Sequence, residues 1–329
     1  MKVFLLTEGG SGLGFGHIMR CIAINDAFKE FNISPTLLIN GSTSIKDIVK
    51  KRRYLFFNWL NQRNKTFDLL RGADVVIVDS YLADSSFYKS IAKLAPIPVY
   101  FDDNKRIAYP PGVVINGAAF PNRMKYPNNK NIKYLLGLSY IPLRKEFWDV
   151  PEKRISRVVR NVLITFGGED TKNMTPKILA ALSKEYPQLH KKVIIGRGFK
   201  NIAEIVRAKD AQTELMFYAQ PERIKEVMLG ADIAISAAGQ TLYELVRLGV
   251  PSIAVTVVKN QLKHSDSLKR ADCLLDVSGY KEKDLIKNIF PYLDSLNYTR
   301  RKIISCTGKK MVDGQGARRA VVEIISYTR

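Results

Sequence analysis

The amino-acid sequence predicts an α/β protein made of two doubly wound parallel-sheet domains. Three observations carry that prediction. Short runs that are apolar throughout and rich in β-branched residues alternate with helix-like segments, the pattern of strands covered on both faces of a parallel sheet. The alternation halts at a charged stretch with two prolines, PLRKEFWDVPEKRISRVVR (142–160), and then restarts. At 329 residues the chain also exceeds what one hydrophobic core usually takes, which makes two domains the expected division.

In the first half the runs are VFLLT (3–7), a helix near 17–30, PTLLI (35–39), VVIVD (75–79), a helix near 85–94, PVYFD (98–102) and VVIN (113–116). After the charged stretch come NVLITFGG (161–168), a helix near 175–184, KVIIG (192–196), a helix near 200–208 and ELMFY (214–218). A helix near 221–229, DIAIS (232–236), a helix near 240–248, PSIAV (251–255) and a helix near 261–270 follow. The last stretch, 314–327, reads as one terminal helix. The expected organisation is a first domain over 1–150, a second over 151–313 and a closing helix over 314–329. Open parallel sheets bind ligands outside the carboxyl ends of their strands, so two such edges facing a central cleft would clamp a two-part ligand.

Composition narrows the function classes. With 46% hydrophobic and 25% charged residues the chain is an ordinary globular one, not a disordered one. Its three cysteines, Cys21, Cys273 and Cys306, are far apart and form no CxxC, which argues against a disulfide framework or a structural zinc. The N-terminal apolar run, Val3 to Leu6, is too short for a signal peptide, and no run approaches the ~18 residues of a membrane span. A cytoplasmic location is expected. The net charge of +21 invites an anionic partner. The basic residues are nevertheless spread along the chain, in short clusters such as Lys50-Lys51-Arg52-Arg53 and Arg300-Arg301-Lys302. A solvated basic surface, with at most weak peripheral contact to an anionic membrane, is the expectation. No aromatic-basic interleaving or nucleic-acid motif accompanies it.

Two stretches carry chemistry. The first is TEGGSGLGFGHIMRC (7–21), with five glycines between Gly9 and Gly16 and one of only three histidines, His17, directly after them. It fits neither GxGxxG nor the P-loop: Phe15 or His17 stands where a third glycine is required, and Phe15 where the lysine belongs. What remains is strand, glycine turn, helix. The glycines, Gly14 and Gly16 among them, let the backbone approach a ligand closely. The helix N-terminus favours negative charge and disfavours an imidazolium, which suits His17 to act as a neutral base. A histidine that merely begins its helix is the plain alternative.

The second stretch is SAAGQTLYELVRLGVPSIAV (236–255). Ser236, Gly239, Gln240 and Thr241 offer N–H and hydroxyl donors at a helix start, a cradle for a diphosphate. Glu244, one turn further in, is placed to accept ribose hydroxyls. FGGED (166–170), with Gly168, and VKNQ (258–261) each follow a strand of the same domain and mark the same edge. Asp102 and Asp103, after a strand of the first domain, read equally as sugar or histidine partners and as turn residues.

Taken together, GFGHIMR, VDSYLAD (78–84), YFDDN (100–104), GLSYIPLRKEF (137–147), FGGED, SAAGQTLYEL and VKNQ occur in an order that resembles the nucleotide-sugar hydrolases of the pseudaminic acid pathway. Those are the UDP-2,4-diacetamido-2,4,6-trideoxy-altropyranose hydrolases; the spore-coat polysaccharide proteins are related to them. The group is similar in turn to MurG-type glycosyltransferases of the GT-B fold. The resemblance spans nearly the whole chain. It implies a GT-B-like architecture, UDP in the second domain and the sugar in the first. It further implies hydrolysis by water at the anomeric carbon, with inversion and without metal or cofactor.

By that resemblance His17 activates the water, Tyr81 and Asn260 are catalytic partners, and Glu244 binds the ribose. Gly14, Gly16, Arg20, Asp103, Gly168, Ser236, Gly239, Gln240, Thr241 and Gln261 line the substrate and UDP sites. Two other readings stay open. One is a GT-B glycosyltransferase in which His17 deprotonates a polysaccharide, lipid or protein hydroxyl; the stretch 308–325 resembles the closing helix of such enzymes. The other is a polyanion-binding protein without catalysis.

Overall fold

The computed structural model describes residues 1–10, 14–41, 45–119, 124–257, 268–269, 274–277 and 285–327. The chain divides into two units, Met1–Lys145 with Gly314–Arg329, and Glu146–Asp313.

The first unit runs β1 (Val3–Gly9), α1 (Gly16–Lys29), β2 (Thr36–Gly41), α2 (Lys46–Val49), β3 (Arg53–Phe56), α3 (Arg63–Leu70), β4 (Val75–Asp79), α4 (Ser85–Leu94), β5 (Ile97–Phe101), β6 (Gly112–Asn116) and β7 (Ile132–Leu136). Its seven strands pair in the order β3-β2-β1-β4-β5-β6-β7, each pair parallel. β1, β4 and β6 are buried at every position, which is why their sequences are apolar without alternation. The sequence reading passed over β3 and β7. RYLF and IKYLL lie at the sheet edges and carry a charge each, because an edge strand is only partly covered. Leu6, Val76, Val78, Trp59, Phe87 and Tyr88 fill one side of the sheet. The Trp59 indole N–H meets its one hydrogen-bonding need at the Thr7 carbonyl, 2.8 Å away.

The second unit runs β8 (Asn161–Thr165), α5 (Met174–Glu185), β9 (His190–Ile195), α6 (Ile202–Ala208), β10 (Thr213–Phe217), α7 (Pro221–Gly230), β11 (Ile233–Ala237), α8 (Gln240–Arg247), β12 (Ser252–Val255), β13 (Leu275–Val277), α9 (Leu285–Ser295) and α10 (Tyr298–Met311). Its sheet has six parallel strands in the order β10-β9-β8-β11-β12-β13. The helix expected near 261–270 falls almost wholly outside the described residues. β13, α9 and α10 were not anticipated. β13 is three residues long, Pro291 interrupts the pattern of α9, and α10 is rich in Lys and Arg. The stretch 142–160 contains no strand, but it is packed: Leu143, Phe147 and Trp148 are buried, and Arg247 donates to the carbonyls of Phe147 and Trp148. Among the described residues no helix is long and apolar enough to cross a membrane.

The closing helix α11 (Gly316–Ile325) belongs to the first unit, although the residues that precede it in the chain, up to Asp313, belong to the second. Ala317, Ala320, Val321 and Ile324 recur at helical spacing and are buried. Arg318 donates both arms of its fork to Glu30 at 2.8 and 2.7 Å, beside α1, and Arg319 donates to the Ser139 carbonyl at 2.7 Å. The helix starts so close to the chain that a Cβ on Gly316 would sit 2.2 Å from the Ile141 carbonyl oxygen. Backbone cannot yield cheaply there, so Gly316→Ala should cost about 1–3 kcal/mol, the scale of an overpacked core. Thermal unfolding checks it: an unchanged transition would mean that the helix docks elsewhere.

Candidate active site

In the first sheet the strand order reverses between β1 and β4, since β2 continues on one side and β5 on the other. Open α/β sheets form their ligand crevice at that reversal, beyond the carboxyl ends. Two chain segments deliver chemistry there. After β1 the Gly10 amide donates to the Gly14 carbonyl at 2.9 Å. Gly14 has φ +70, a left-handed conformation that an L side chain would strain. α1 begins two residues later, so His17 is its second residue. Phe15, just before α1, has no side-chain acceptor to cap the first amides. From the other side β4, in register with β1 as Thr7 opposite Asp79, ends on a carboxylate.

These segments meet in a buried cluster. His17 Nδ1 lies 2.6 Å from Asp79 Oδ1. A carboxylate only accepts, so in the neutral ring Nδ1 carries the proton and Nε2 keeps its lone pair. One α-helical turn along, Arg20 grips two carboxylates at once. Its Nε and Nη2 donate to Asp79 at 2.5 and 2.6 Å, and its Nη1 and Nη2 donate to Asp103 at 2.7 and 2.9 Å. The guanidinium stands 4.8 Å over the Phe101 ring. The Tyr81 hydroxyl donates to Asp103 Oδ2 at 2.5 Å, and its ring meets that of His17 edge to face, centroids 4.3 Å apart.

The electrostatics follow from burial and pairing. Burial opposes the Asp79 carboxylate, but Arg20 and His17 outweigh it and hold its pKa below the ordinary value. Burial likewise opposes the Arg20 cation, and Asp103 and Asp79 overcome it, raising that pKa well above normal. The Tyr81 hydroxyl is pushed up, first by burial and then by Asp103, so it is a donor and not a base.

Asp79 was not singled out in the sequence, although a lone acid ending the apolar run VVIVD was a usable signal once β4 is placed beside β1. Glu8, fully buried at the end of β1, was missed as well. The neighbouring acids Asp102 and Asp103 diverge. Asp103 enters the cluster, while Asp102 accepts the amides of Asn104 and Lys105 and the Tyr126 hydroxyl, holding the turn after β5.

In the second unit the sheet reverses between β8 and β11. The turn after β8 holds Gly167 and Gly168, and the Gly168 carbonyl accepts the Gly198 amide at 2.9 Å. The turn after β11 leads through Gly239 into α8. The two turns converge: a Cβ on Gly167 would lie 4.0 Å from Thr241 Oγ1. Gln240 and Thr241 open the helix, and Glu244, one turn in, is buried to 2% exposure.

The structure therefore gathers His17, Arg20, Tyr81 and Asp103 in one cluster beside Gly14 and Gly16. It places Gly168, Gly239, Gln240, Thr241 and Glu244 at the reversal of the other sheet. Two of these side chains turn inward. The Ser236 hydroxyl is fully buried and donates to the Ala237 carbonyl, because Ser236 still lies within β11. The Arg20 fork is taken up by internal carboxylates, so its observed work is to position them. Asn260 and Gln261 lie outside the described residues.

Residues 161–312 match the glycosyltransferase family 28 C-terminal domain. The chain is 26% identical over 82% of its length to an uncharacterized protein of Methanocaldococcus jannaschii, covering 59% of it. It is 24% identical over 80% of its length to a Helicobacter pylori protein named pseudaminic acid cytidylyltransferase and UDP-2,4-diacetamido-2,4,6-trideoxy-beta-L-altropyranose hydrolase, covering 46% of that protein. The chain thus spans about half the length of these two relatives. With the spore coat polysaccharide biosynthesis protein SpsG of Bacillus subtilis it shares 23% identity over 96% of its own length and 95% of the other. Among solved structures it superposes on Acinetobacter baumannii MurG with TM-score 0.66 and 15% identity, over 99% of this chain and 100% of that one. The fold is that of the GT-B glycosyltransferases, as the sequence resemblance implied.

Removing Arg20 alone would leave two buried carboxylates without their cation. Arg20→Met should destabilise the first unit by about 3–5 kcal/mol. The pH dependence gives the sign. In the native protein the Asp79 pKa is depressed, so its stabilisation is present above the ordinary carboxylate value of about 3.9 and is lost as pH falls below it. Without Arg20 the folded-state values rise above the unfolded ones, and stability falls as pH rises through them. The melting deficit of the variant should therefore be smaller at pH 5 than at pH 8; an equal deficit at both would show that the carboxylates do not depend on Arg20.

Proposed function

We propose that this chain is a UDP-sugar hydrolase that releases UDP from a UDP-linked diacetamido-trideoxy sugar, with inversion at the anomeric carbon. The route it serves is the synthesis of a nonulosonic acid or surface polysaccharide. The observation that carries the reading is the 2.6 Å contact between His17 Nδ1 and Asp79, which leaves Nε2 as a proton acceptor beside a glycine turn at the reversal of the sheet. The name borne by the Helicobacter pylori relative supports the substrate class, and the family 28 domain supports a nucleotide-sugar enzyme.

The water oxygen forms a bond to the anomeric carbon as the carbon–oxygen bond to the phosphate breaks. The bonding pair leaves with UDP, and the water proton passes to His17 Nε2. Asp79 stabilises the imidazolium that results. Tyr81, whose hydroxyl proton is at Asp103 and whose oxygen can still accept from a sugar hydroxyl, and Asn260 orient the sugar, with Gly14 and Gly16 giving close backbone approach. The second unit takes the nucleotide: amides at Gly168, Gly239, Gln240 and Thr241 face the diphosphate, Glu244 takes the ribose hydroxyls and Gln261 completes the site. Helix-end amides stabilise the leaving diphosphate without a proton donor.

A glycosyltransferase is the second reading, favoured by the family 28 match. The same base would then take its proton from an acceptor hydroxyl.

A panel of UDP-, GDP- and CMP-sugars, scored for nucleotide release with and without acceptors, separates these readings. The expected result is UDP release with no acceptor present; release only when an acceptor is added would make the chain a transferase. His17→Asn should lower turnover about 10²–10⁴-fold, the usual contribution of a general base, while UDP binding stays within about threefold. Asp79→Asn should cause a comparable loss, because an amide at that place donates to Nδ1 and moves the ring proton to Nε2. Full turnover in the His17 variant would remove it from the role of base.

A further inference from the structure

The turn that carries Tyr81, between β4 and α4, is fixed by a buried carboxylate from another strand. Glu8 is fully buried at the end of β1. Its Oε2 accepts the Ser80 hydroxyl at 2.7 Å, and its Oε1 accepts the Tyr81 amide at 2.6 Å and the Leu82 amide at 3.2 Å. The Ser80 oxygen, having donated to Glu8, accepts the Leu82 and Ala83 amides at 3.0 and 2.9 Å. The carbonyls of the same turn are held from another direction. Arg106 donates to Ala83 at 2.7 Å and to Ser80 at 3.3 Å, and the Tyr88 hydroxyl donates to Ser80 at 3.2 Å. Past the turn, Asp84 caps α4 by accepting the Phe87 amide at 2.8 Å.

A buried negative charge is costly unless it is hydrogen-bonded, and a short turn has amides that need acceptors. Glu8 meets both needs at once. What this order delivers is the Tyr81 side chain, whose hydroxyl is at Asp103 and whose ring is against His17. Backbone placement at Tyr81 therefore sets two contacts of the cluster together. Neither obvious replacement keeps the arrangement. A glutamine has one acceptor oxygen and would point N–H groups at a hydroxyl or at amides that are themselves donating. An aspartate is one methylene shorter and would draw its oxygens back from the three donors that Glu8 meets at 2.7, 2.6 and 3.2 Å.

Resting on the hydrolase reading above, we infer that Glu8 is a positioning residue for catalysis: through the Ser80–Leu82 turn it holds the Tyr81 hydroxyl at Asp103 and the Tyr81 ring at His17. It touches no reacting atom, and its effect is passed on by Tyr81.

The test is a double-mutant cycle together with hydrogen exchange. Glu8→Gln should lower kcat for UDP release about 10–100-fold, with KM within about threefold. Combined with Tyr81→Ala, which removes both the hydroxyl at Asp103 and the ring at His17, it should lose little beyond the alanine change alone, because both remove one function. Backbone amides of residues 80–83 should exchange at least tenfold faster in Glu8→Gln than in the native chain, while those of β1 and β4 keep their protection. Ser80→Ala, which removes one donor and leaves the carboxylate, supplies the same two readouts if Glu8→Gln does not fold. Losses that multiply in the double variant, or unchanged exchange at 80–83, would overturn the inference. If the native chain releases no UDP, the hydrolase reading falls, and the exchange measurement still decides whether Glu8 holds the turn.

Discussion

One guanidinium organises the first unit's chemistry. Parallel strands β4 and β5 bring Asp79 and Asp103 to the same edge, where burial removes the water that would screen them. Two carboxylates so placed repel each other by several kcal/mol at an effective dielectric of about 20. Arg20 reverses that sign. Its planar fork meets both acids in paired hydrogen bonds, a geometry that a lysine ammonium cannot reproduce. With the acids fixed, their remaining capacity has a definite direction. Asp79 receives the Nδ1 proton of His17, and Asp103 receives the hydroxyl of Tyr81. The places of the imidazole and of the phenol thus follow from the pairing of Arg20 with these two acids.

The order of dependence runs from backbone to proton. β1 and β4 are rigid because every position is buried, so their ends are fixed points. One end presents Glu8, which holds the turn bearing Tyr81; the other presents Asp79. α1 then supplies His17 and Arg20 three residues apart, on one helical face. On the proposed reading, this site is organised before any substrate arrives, and a group already aimed has no reorganisation cost when charge develops. Cys21, next along α1, is fully buried beside Asp79, and burial pushes its thiol well up, so it stays an inert filler at the back of the cluster.

What the sequence made legible follows the range of the interactions involved. Glycine punctuation and an unbroken apolar run mark strand, turn and helix locally, and so GFGH at the head of α1 could be read directly. Arg20 and Asp103 were both named as candidates from the sequence, but their partnership was not legible, because it joins residues 83 apart in the chain. Asp102 and Asp103 are indistinguishable in sequence; at the end of a strand, successive side chains point opposite ways, and that alone sends one to the turn and the other to the cluster. Glu8 was hidden for the same reason. In TEGG it looks like a turn acid, and it becomes a buried clamp only when a loop 72 residues later closes over it. Edge strands such as RYLF were missed because partial exposure relaxes the apolar pattern by which strands are recognised.

The two sheets share one topology about their reversals, and they differ at the last residue of a single strand. In each, a glycine turn follows the first strand, and the strand beyond the reversal ends beside it. In the first unit that strand ends in Asp79; in the second it ends in Ala237, followed by Ala238 and Gly239. A carboxylate at this point recruits a cation and a histidine, and it repels phosphate. Small neutral residues at the same point carry no charge that would repel an anion, and the acid of that helix, Glu244, stands one turn further in. On the proposed reading, proton transfer and diphosphate binding need opposite fields, and a repeated fold meets both by changing the charge at one strand end.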